Sequence, residues 1–342
     1  MKIMDFTIDI NTLSLIIKEK GWKRVGLQFP EGLKPYTKEV IQSLTEKLLP
    51  ASIEFLVSGS PCYGACDVSD NEFLLGKADG MIHFGHSEIP NMGKSYLIPV
   101  VFQEMPSEIL VQPVVKEVLN QGLLSGIIGL TTTIQFIHEL SAANELLSAA
   151  GFDVRMGTGT DRLAYPGQVL GCSFSSATAV PQADMYLFVG EGLFHPLGIT
   201  LATGKPVIAA DPRSGLVKNM DAKKDKVLRQ RYGAIQKLKD AREIGVVLST
   251  LPGQMRRPLA TSLIKKGGDH GKRMTMITTP HLNPMSLMNL GNKVLVSTAC
   301  PRVAVDDYSL YLEHGITMAT PIEFLISIGE MNWDNYVLDT IE

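Results

Sequence analysis

Short apolar runs alternate with longer amphipathic segments along the whole chain, and this alternation constrains the fold more than any other feature. Runs such as residues 24–29 and 244–250 are aliphatic, often β-branched, and of strand length. Segments such as residues 134–150 place apolar residues three and four apart, which is typical of a helix packed on one face. The alternation predicts βαβ units and an α/β fold with mostly parallel sheets.

The pattern starts anew at intervals of roughly one hundred residues, which indicates an internal repeat. Each start combines an apolar strand, a polar or Pro/Gly turn with a glutamine, and a helix; the glutamines are Gln28, Gln135 and Gln254. We therefore expect three similar small α/β domains in a pseudo-threefold arrangement, covering residues 1–104, 105–213 and 214–342.

One cysteine of each expected domain lies in a turn beside an apolar strand: Cys66, Cys172 and Cys300. Cys66 lies 13 residues before Asp79, and Cys172 lies 12 residues before Asp184, in similar Ala-Asp segments. Cys300 departs from this spacing because it directly follows its strand. Open α/β sheets bind ligands at the carboxyl ends of their strands, so we expect the three thiols to meet at a common centre.

A single cysteine in such a chain is often only a small buried apolar residue. One cysteine per repeat, each in a turn, favours a ligand role instead, and thiolates are the usual ligands of iron–sulfur clusters. Three ligands would leave one iron open to a substrate. Structural zinc prefers four ligands in paired spacing, and we do not expect Cys62, the remaining cysteine, to bind the cluster.

Several other polar residues are weaker candidates. The segment 157–162 begins like a dinucleotide fingerprint but lacks its third glycine. His195 is predicted at a helix N-terminus, as an anion contact or a cap, while His83 and His138 have apolar surroundings typical of core histidines. Thr131, Thr132, Thr133 and Arg302 are expected at strand ends, where hydroxyl and guanidinium groups bind carboxylates.

The composition excludes several classes of protein. A formal net charge of −3 and the mixed charges of residues 218–239 argue against a nucleic-acid interface. The apolar runs are far shorter than the ~20 residues that cross a bilayer, so we expect no membrane association. Four cysteines are too few for a secreted disulfide framework. We therefore expect a cytoplasmic protein with free thiols.

A resemblance to a known family extends over nearly the whole chain. It is carried by four segments: 63–67 (YGACD), 166–172 (PGQVLGC), 194–198 (FHPLG) and 299–302 (ACPR), the last followed by Asp306 and Asp307. The sequence resembles the archaeal diphthamide-synthesis family of 2-(3-amino-3-carboxypropyl)histidine synthases. That family forms homodimers of three-domain α/β subunits, and one cysteine from each domain binds a 4Fe-4S cluster. The resemblance implies that Cys66, Cys172 and Cys300 are these ligands.

The resemblance also implies the reaction. The reduced cluster binds S-adenosylmethionine and donates an electron, and the bond between sulfur and the methionine γ-carbon breaks. The 3-amino-3-carboxypropyl group then joins C2 of a histidine imidazole in translation elongation factor 2, the first step of diphthamide biosynthesis. An electron donor is a further implied partner. We predict cofactor contacts at the strand ends, from Gln254, Arg302, Thr131, Thr132, Thr133, Gln28 and Gln135.

Three alternatives remain open at this point. Quinolinate synthase shares the three-domain, three-cysteine layout but performs a condensation and dehydration. A non-catalytic partner subunit would only pass electrons or bind the elongation factor. A cluster-free metabolic protein would contain inert thiols and purify without iron.

Overall fold

The computed structural model describes residues 1–92 and 96–341 and contains three larger sheets with helices packed on them. The first unit begins with a short antiparallel pair, β1 (Lys2–Ile3) and β2 (Phe6–Thr7). Its other elements are α1 (Ile10–Glu19), β3 (Arg24–Gln28), α2 (Thr37–Leu48), β4 (Glu54–Val57), α3 (Asp70–Leu75), β5 (Gly80–Phe84) and β6 (Val100–Gln103), with 3₁₀ turns at Glu31–Tyr36 and Pro90–Met92.

The second unit follows the same order of strands and helices. Its elements are α4 (Gln112–Asn120), β7 (Ile127–Thr132), a 3₁₀ turn (Ile134–Glu139), α5 (Leu140–Ala149), β8 (Asp153–Arg155), α6 (Ser175–Thr178), β9 (Met185–Val189), α7 (Phe194–Thr203), β10 (Val207–Ala210) and β11 (Val217–Asn219). All residues of β5 in the first unit and of β9 in the second are buried. Complete burial is expected for strands of a parallel sheet with both faces covered.

The third unit begins with the longest helix among the described residues. Its elements are α8 (Asp221–Asp240), β12 (Glu243–Ser249), a 3₁₀ turn (Pro252–Gln254), α9 (Arg257–Asp269), β13 (Arg273–Thr279), α10 (Pro284–Met288), β14 (Val294–Ser297), α11 (Pro301–Val305), α12 (Tyr308–Glu313), β15 (Thr317–Ala319), α13 (Pro321–Ser327) and a last 3₁₀ turn (Trp333–Asn335).

The three sheets share one strand order, which confirms the predicted repeat. The orders are β4-β3-β5-β6, β8-β7-β9-β10 and β13-β12-β14-β15, so in each of these sheets the strand that comes first in the chain lies between the second and the third. All of these pairs are parallel, and β11 adds an antiparallel edge to the second sheet. The carboxyl ends of the four shared strands therefore lie at one edge of each sheet.

Some predicted element boundaries were wrong. Thr131 and Thr132, expected beside a strand end, belong to strand β7 itself, because β-branched residues extend a strand readily. The helix predicted from Ile134 begins as a 3₁₀ turn with a kink at Phe136. The mostly apolar segment 96–102 forms a strand only from Val100, directly after a proline that has no N–H to donate.

The domain limits 1–104, 105–213 and 214–342 stay a prediction. Strand β11 lies beyond residue 213 and still pairs with β10, so the second sheet extends past that limit. Within the described ranges, no helix combines the length and the apolar character that crossing a membrane requires.

Candidate metal and cofactor site

Cys66, Cys172 and Cys300 line one cavity where the carboxyl ends of strands from the three units meet. Cys66 lies in the loop between β4 and α3, and Cys172 lies between β8 and α6. Cys300 lies between β14 and α11. In the first two units the cysteine thus follows the second strand of the four-stranded parallel sheet, whereas in the third unit it follows the third strand of that sheet. The structure therefore brings together the three predicted thiols, including the one with the different position in its repeat.

The 3₁₀ turn Pro252–Gln254 joins the loops of two of these cysteines. The Gly253 N–H donates to the Cys66 carbonyl oxygen at 3.0 Å. The Gln254 Nε2 donates to the Cys66 Sγ at 3.3 Å, and its Oε1 accepts from the Cys300 N–H at 3.4 Å. A Cβ at Gly253 would lie 2.5 Å from the Cys66 Cα. Glycine is therefore needed for this turn to approach the Cys66 loop.

Arg162 contacts Cys172 and was not predicted as a site residue. Its side chain is buried, with Nε donating to the Cys172 Sγ at 3.3 Å and Nη2 donating to the Gly253 carbonyl oxygen at 2.8 Å. It belongs to the segment 157–162, which sequence reasoning considered only as a dinucleotide motif. The signal available in the sequence was an arginine ten positions before Cys172, in the segment that leads to this cysteine.

The electrostatics of the thiols favour a metal centre over a nucleophile. Burial, with a contribution from the nearby Cys172, raises the pKa of Cys66 to about 12. Burial also raises the pKa of Cys300, with contributions from Cys172 and Cys66. Thiols with raised pKa values remain protonated at neutral pH unless a cation offsets the charge of the thiolates. The donor set therefore fits a positively charged metal group.

The size of the site argues against a single zinc ion there. Ligand atoms of one ion lie within a few ångströms of each other, since Zn–S bonds are about 2.3 Å long. Among residues 1–92 and 96–341, the three cysteines do not form a group whose ligand atoms all lie within 4.8 Å of one another. A larger inorganic core fits this spacing better.

The cavity wall also contains polar side chains from all three units: His86, Thr133, Gln135, His195 and Arg302. The cavity has a volume of about 750 Å³, including the part open to solvent. The cavity therefore has room for a ligand beside the three thiols.

His195 and Arg302 form one side of this cavity. His195 is the second residue of α7, and its ring stacks on Phe188 with centroids 5.9 Å apart. Burial, with a contribution from the positive Arg302, lowers the pKa of His195 to about 3, so the ring is neutral at neutral pH. The Arg302 guanidinium lies 5.0 Å from the centroid of the Phe194 ring and donates to Asp306 at 3.0 Å.

A second cavity shares Tyr63, Cys66, Cys300 and Arg302 with the first. Its volume is about 820 Å³, again including the part open to solvent. The remaining wall contains both polar and apolar residues: Gln254, Asp307, Tyr311, Leu251, Pro280, Leu282 and Val303. The two cavities thus both border Cys66 and Cys300.

Comparison with known proteins identifies the family. The family model of diphthamide synthesis proteins matches residues 29–337. The chain belongs to this family. The three-cysteine cavity is thus a feature of a diphthamide synthesis protein, and the resemblance seen in the sequence is confirmed.

Individual relatives in the diphthamide synthesis family agree with this assignment. The 2-(3-amino-3-carboxypropyl)histidine synthase of Pyrococcus horikoshii is 36% identical over 315 residues, which are 92% of this chain and 89% of the relative. The synthase of Methanocaldococcus jannaschii is 28% identical over 94% of this chain and 89% of its own length. The crystal structure of Dph2 from P. horikoshii with a 4Fe-4S cluster matches with a TM-score of 0.88 and 34% identity, covering 98% of this chain and 94% of that chain.

The predicted cofactor contacts fall into two groups. Thr133, Gln135, Gln254 and Arg302 line one or both cavities. The hydroxyls of Thr131 and Thr132 donate instead to the carbonyl oxygens of Leu187 and Val189, and both side chains are buried within the second sheet. Their role in binding a cofactor stays a prediction that this hydrogen bonding does not favour.

Gln28 is fully buried and lies outside the residues that line either cavity. Its Nε2 donates to the Asp67 carbonyl oxygen at 2.7 Å and to the Ser69 Oγ at 2.9 Å. Its Oε1 accepts from the Ser69 N–H at 3.1 Å and lies 2.9 Å from the His83 Nδ1. The glutamine of the first repeat therefore holds the end of the Cys66 loop, and its predicted contact with a cofactor stays a prediction.

Proposed function

We propose that this chain transfers the 3-amino-3-carboxypropyl group of S-adenosylmethionine to C2 of a histidine imidazole in translation elongation factor 2. The observation that carries the proposal is the meeting of Cys66, Cys172 and Cys300 in one cavity of a diphthamide synthesis protein. The relative that matches over 98% of this chain has a 4Fe-4S cluster in its crystal structure.

Cys66, Cys172 and Cys300 would hold a 4Fe-4S cluster. Hydrogen bonds to two of the sulfurs support this assignment, because Gln254 donates to Cys66 and Arg162 donates to Cys172. Such donors stabilise negative charge on ligand sulfurs and tune a cluster's reduction potential. When bound, the cluster supplies the electron that cleaves the bond between sulfur and the methionine γ-carbon.

S-adenosylmethionine would occupy the second cavity, next to the Cys66 and Cys300 thiols. Gln254 and Arg302, both predicted as cofactor contacts, line this cavity. Arg302 donates from Nε and Nη2 to the single oxygen Oδ2 of Asp306, and the carboxylate of a ligand offers this guanidinium a bidentate partner instead. Asp307 adds a carboxylate that attracts a cationic sulfonium or ammonium group. The chain's role is positional, since the γ-carbon must face the electron source.

We propose three further assignments, which membership of the family supports. The elongation factor is the protein substrate, a second copy of this chain forms a homodimer, and a separate electron donor reduces the cluster. Each of these is part of the same proposal, as is the cytoplasmic location of the reaction.

The experiment is an anaerobic incubation of the reduced protein with S-adenosylmethionine. We expect methylthioadenosine to form, and we expect label from the aminocarboxypropyl part of the substrate on the elongation factor when that protein is added. Cys172→Ala should abolish both products. Absence of methylthioadenosine from a protein with a fully loaded, reduced cluster would refute the proposal. Production of 5′-deoxyadenosine instead would refute the assigned bond cleavage.

A further inference from the structure

A second group of side chains of the types that bind metal ions lies next to the cysteine cavity, which only one of them, His86, lines. The Sγ of Cys62 and ring nitrogens of His83 and His86 all lie within 4.8 Å of one another. Cys62 and His83 are buried, and His86 is partly buried in the cavity wall. Cys62 does not line the cavity of the other three cysteines. The group is thus distinct from the cluster ligands, although it shares the loop that carries Cys66.

The ligand types favour a particular metal. One thiolate and two imidazoles suit zinc, which binds sulfur and nitrogen ligands in a tetrahedral arrangement. Burial raises the pKa of Cys62 to about 12, so binding must displace the thiol proton to solvent and becomes tighter as pH rises. Burial lowers the pKa of His86 to about 4, so its ring is neutral and available as a ligand at neutral pH. Three protein ligands leave the fourth position for water.

The hydrogen bonds around His83 fix the tautomer that a metal needs. Gln28 uses its Nε2 to donate to Asp67 and Ser69, so its Oε1 must accept from the His83 Nδ1–H. The His83 Nε2 is therefore unprotonated. A ring N–H bonded to an amide oxygen is the usual support of a histidine that binds metal through its other nitrogen.

The distance between the two imidazoles is close to that of a metal site. The His83 Nε2 lies 2.9 Å from the His86 Nδ1, with the proton of His86 between them. Zn–N bonds of 2.0–2.1 Å in tetrahedral geometry place two nitrogens about 3.3 Å apart. Replacing the shared proton by an ion thus requires the two nitrogens to separate by about 0.4 Å and both rings to turn so that their lone pairs converge on the ion.

We infer that Cys62, His83 and His86 form a zinc site that is separate from the proposed cluster. The site would tie the loop of Cys66 to the end of β5, since His83 belongs to β5 and His86 follows it closely. Cys62 precedes the cluster ligand Cys66 by four positions, so the ion would restrict the loop that presents this ligand. The inference rests on this geometry and is independent of the proposed transferase activity.

The experiment uses Co²⁺ as a spectroscopic probe for zinc in the variant Cys66→Ala/Cys172→Ala/Cys300→Ala, in which cluster thiols cannot bind it. We expect about one Co²⁺ per chain with a near-ultraviolet thiolate-to-cobalt band that Zn²⁺ removes. Adding Cys62→Ser should reduce this band at least tenfold. The matched control is His138→Gln in the same background, because His138 is an exposed histidine outside this group, and it should leave the band unchanged.

Absence of the band from a folded triple variant, or a band that survives Cys62→Ser, would overturn the inference. A second measurement applies if the triple variant does not fold. Zinc and iron are then quantified in the cluster-loaded parent and in Cys62→Ser. We expect about one zinc per chain in the parent and at least a fivefold loss in Cys62→Ser, whereas equal zinc in both proteins would contradict the site. Neither result depends on methylthioadenosine formation, so the two proposals can fail separately.

Discussion

Replacement of Gln254 by leucine tests how the protein tunes the cluster. The amide donates to the Cys66 Sγ at 3.3 Å and accepts from the Cys300 N–H at 3.4 Å. Gln254→Leu preserves most of the side-chain volume but removes both hydrogen bonds. The three cysteines are unchanged, so the variant should still bind a cluster.

The expected effect is a more negative reduction potential. A donor to a ligand sulfur stabilises the reduced cluster more than the oxidised one, because reduction adds a negative charge. A hydrogen bond contributes about 0.5–1.5 kcal/mol net. For a one-electron couple, 59 mV corresponds to about 1.4 kcal/mol, so loss of the hydrogen bond to Cys66 should lower the potential by about 20–60 mV.

The assay is a redox titration followed by electron paramagnetic resonance, without S-adenosylmethionine. Gln135→Leu is the matched control, since Gln135 lines the cavity of the three cysteines but its Nε2 donates to the Gly85 carbonyl oxygen. The control should keep the parental potential. A fully loaded Gln254→Leu protein with an unchanged or more positive potential would refute the reasoning.

Three further predictions concern packing, a buried ion pair and pH. Gly253→Ala should fold but lose most of its bound iron, because the new Cβ would meet the Cys66 backbone at 2.5 Å; iron per chain measures this. Glu323→Gln should lower the free energy of unfolding by about 3–5 kcal/mol, since it leaves the fully buried Arg231 without its carboxylate; urea unfolding measures this. The pKa of His195 is about 3 in the folded protein and 6.5 in the unfolded chain. As pH falls, the unfolded chain therefore takes up a proton at this histidine before the folded protein does, which favours unfolding. His195→Gln should therefore flatten the loss of stability between pH 6 and 4 by up to about 1.4 kcal/mol per pH unit in cluster-free protein.

Matched controls separate these effects from general damage. Gly268→Ala adds the same methyl group in α9, where a Cβ would meet nothing within 4 Å, and should keep its iron. Glu330→Gln removes one partner of a partly exposed pair with Lys266 and should cost less than about 1 kcal/mol. Loss of iron in the Gly268 variant, equal destabilisation by the two glutamates, or an unchanged pH slope in His195→Gln would contradict the corresponding prediction.

The three-sheet architecture was accessible from the sequence because its signals are local. The spacing of apolar residues distinguishes strands from helices, and the repeated glutamine and cysteine positions revealed the triplication. Thr131 was a candidate cofactor contact because its polar side chain was expected at a strand end, whereas its hydroxyl donates to a carbonyl oxygen within the sheet. A local pattern cannot show that a polar side chain finds its partner on a neighbouring strand.

Side-chain roles at the site were less accessible because they depend on contacts between units. Arg162 reaches the Gly253 carbonyl oxygen across 91 positions of sequence, and Gln254 reaches Cys66 across 188. The sequence showed that Gln254 stands at a strand end, but not that its amide points to a sulfur. Likewise, Gln28 has the same place in its repeat as Gln254, yet it binds the end of a loop instead of lining a cavity.

Iron analysis combined with electron paramagnetic resonance shows whether the three thiols bind one cluster. The measurement compares the anaerobically purified parent with the variants Cys66→Ala, Cys172→Ala and Cys300→Ala. We predict about four iron ions per chain and a 4Fe-4S signal after reduction in the parent, and loss of both in each variant. A parent that cannot be loaded with iron, or a variant that keeps the complete cluster, would contradict the claim that these three thiols bind one cluster.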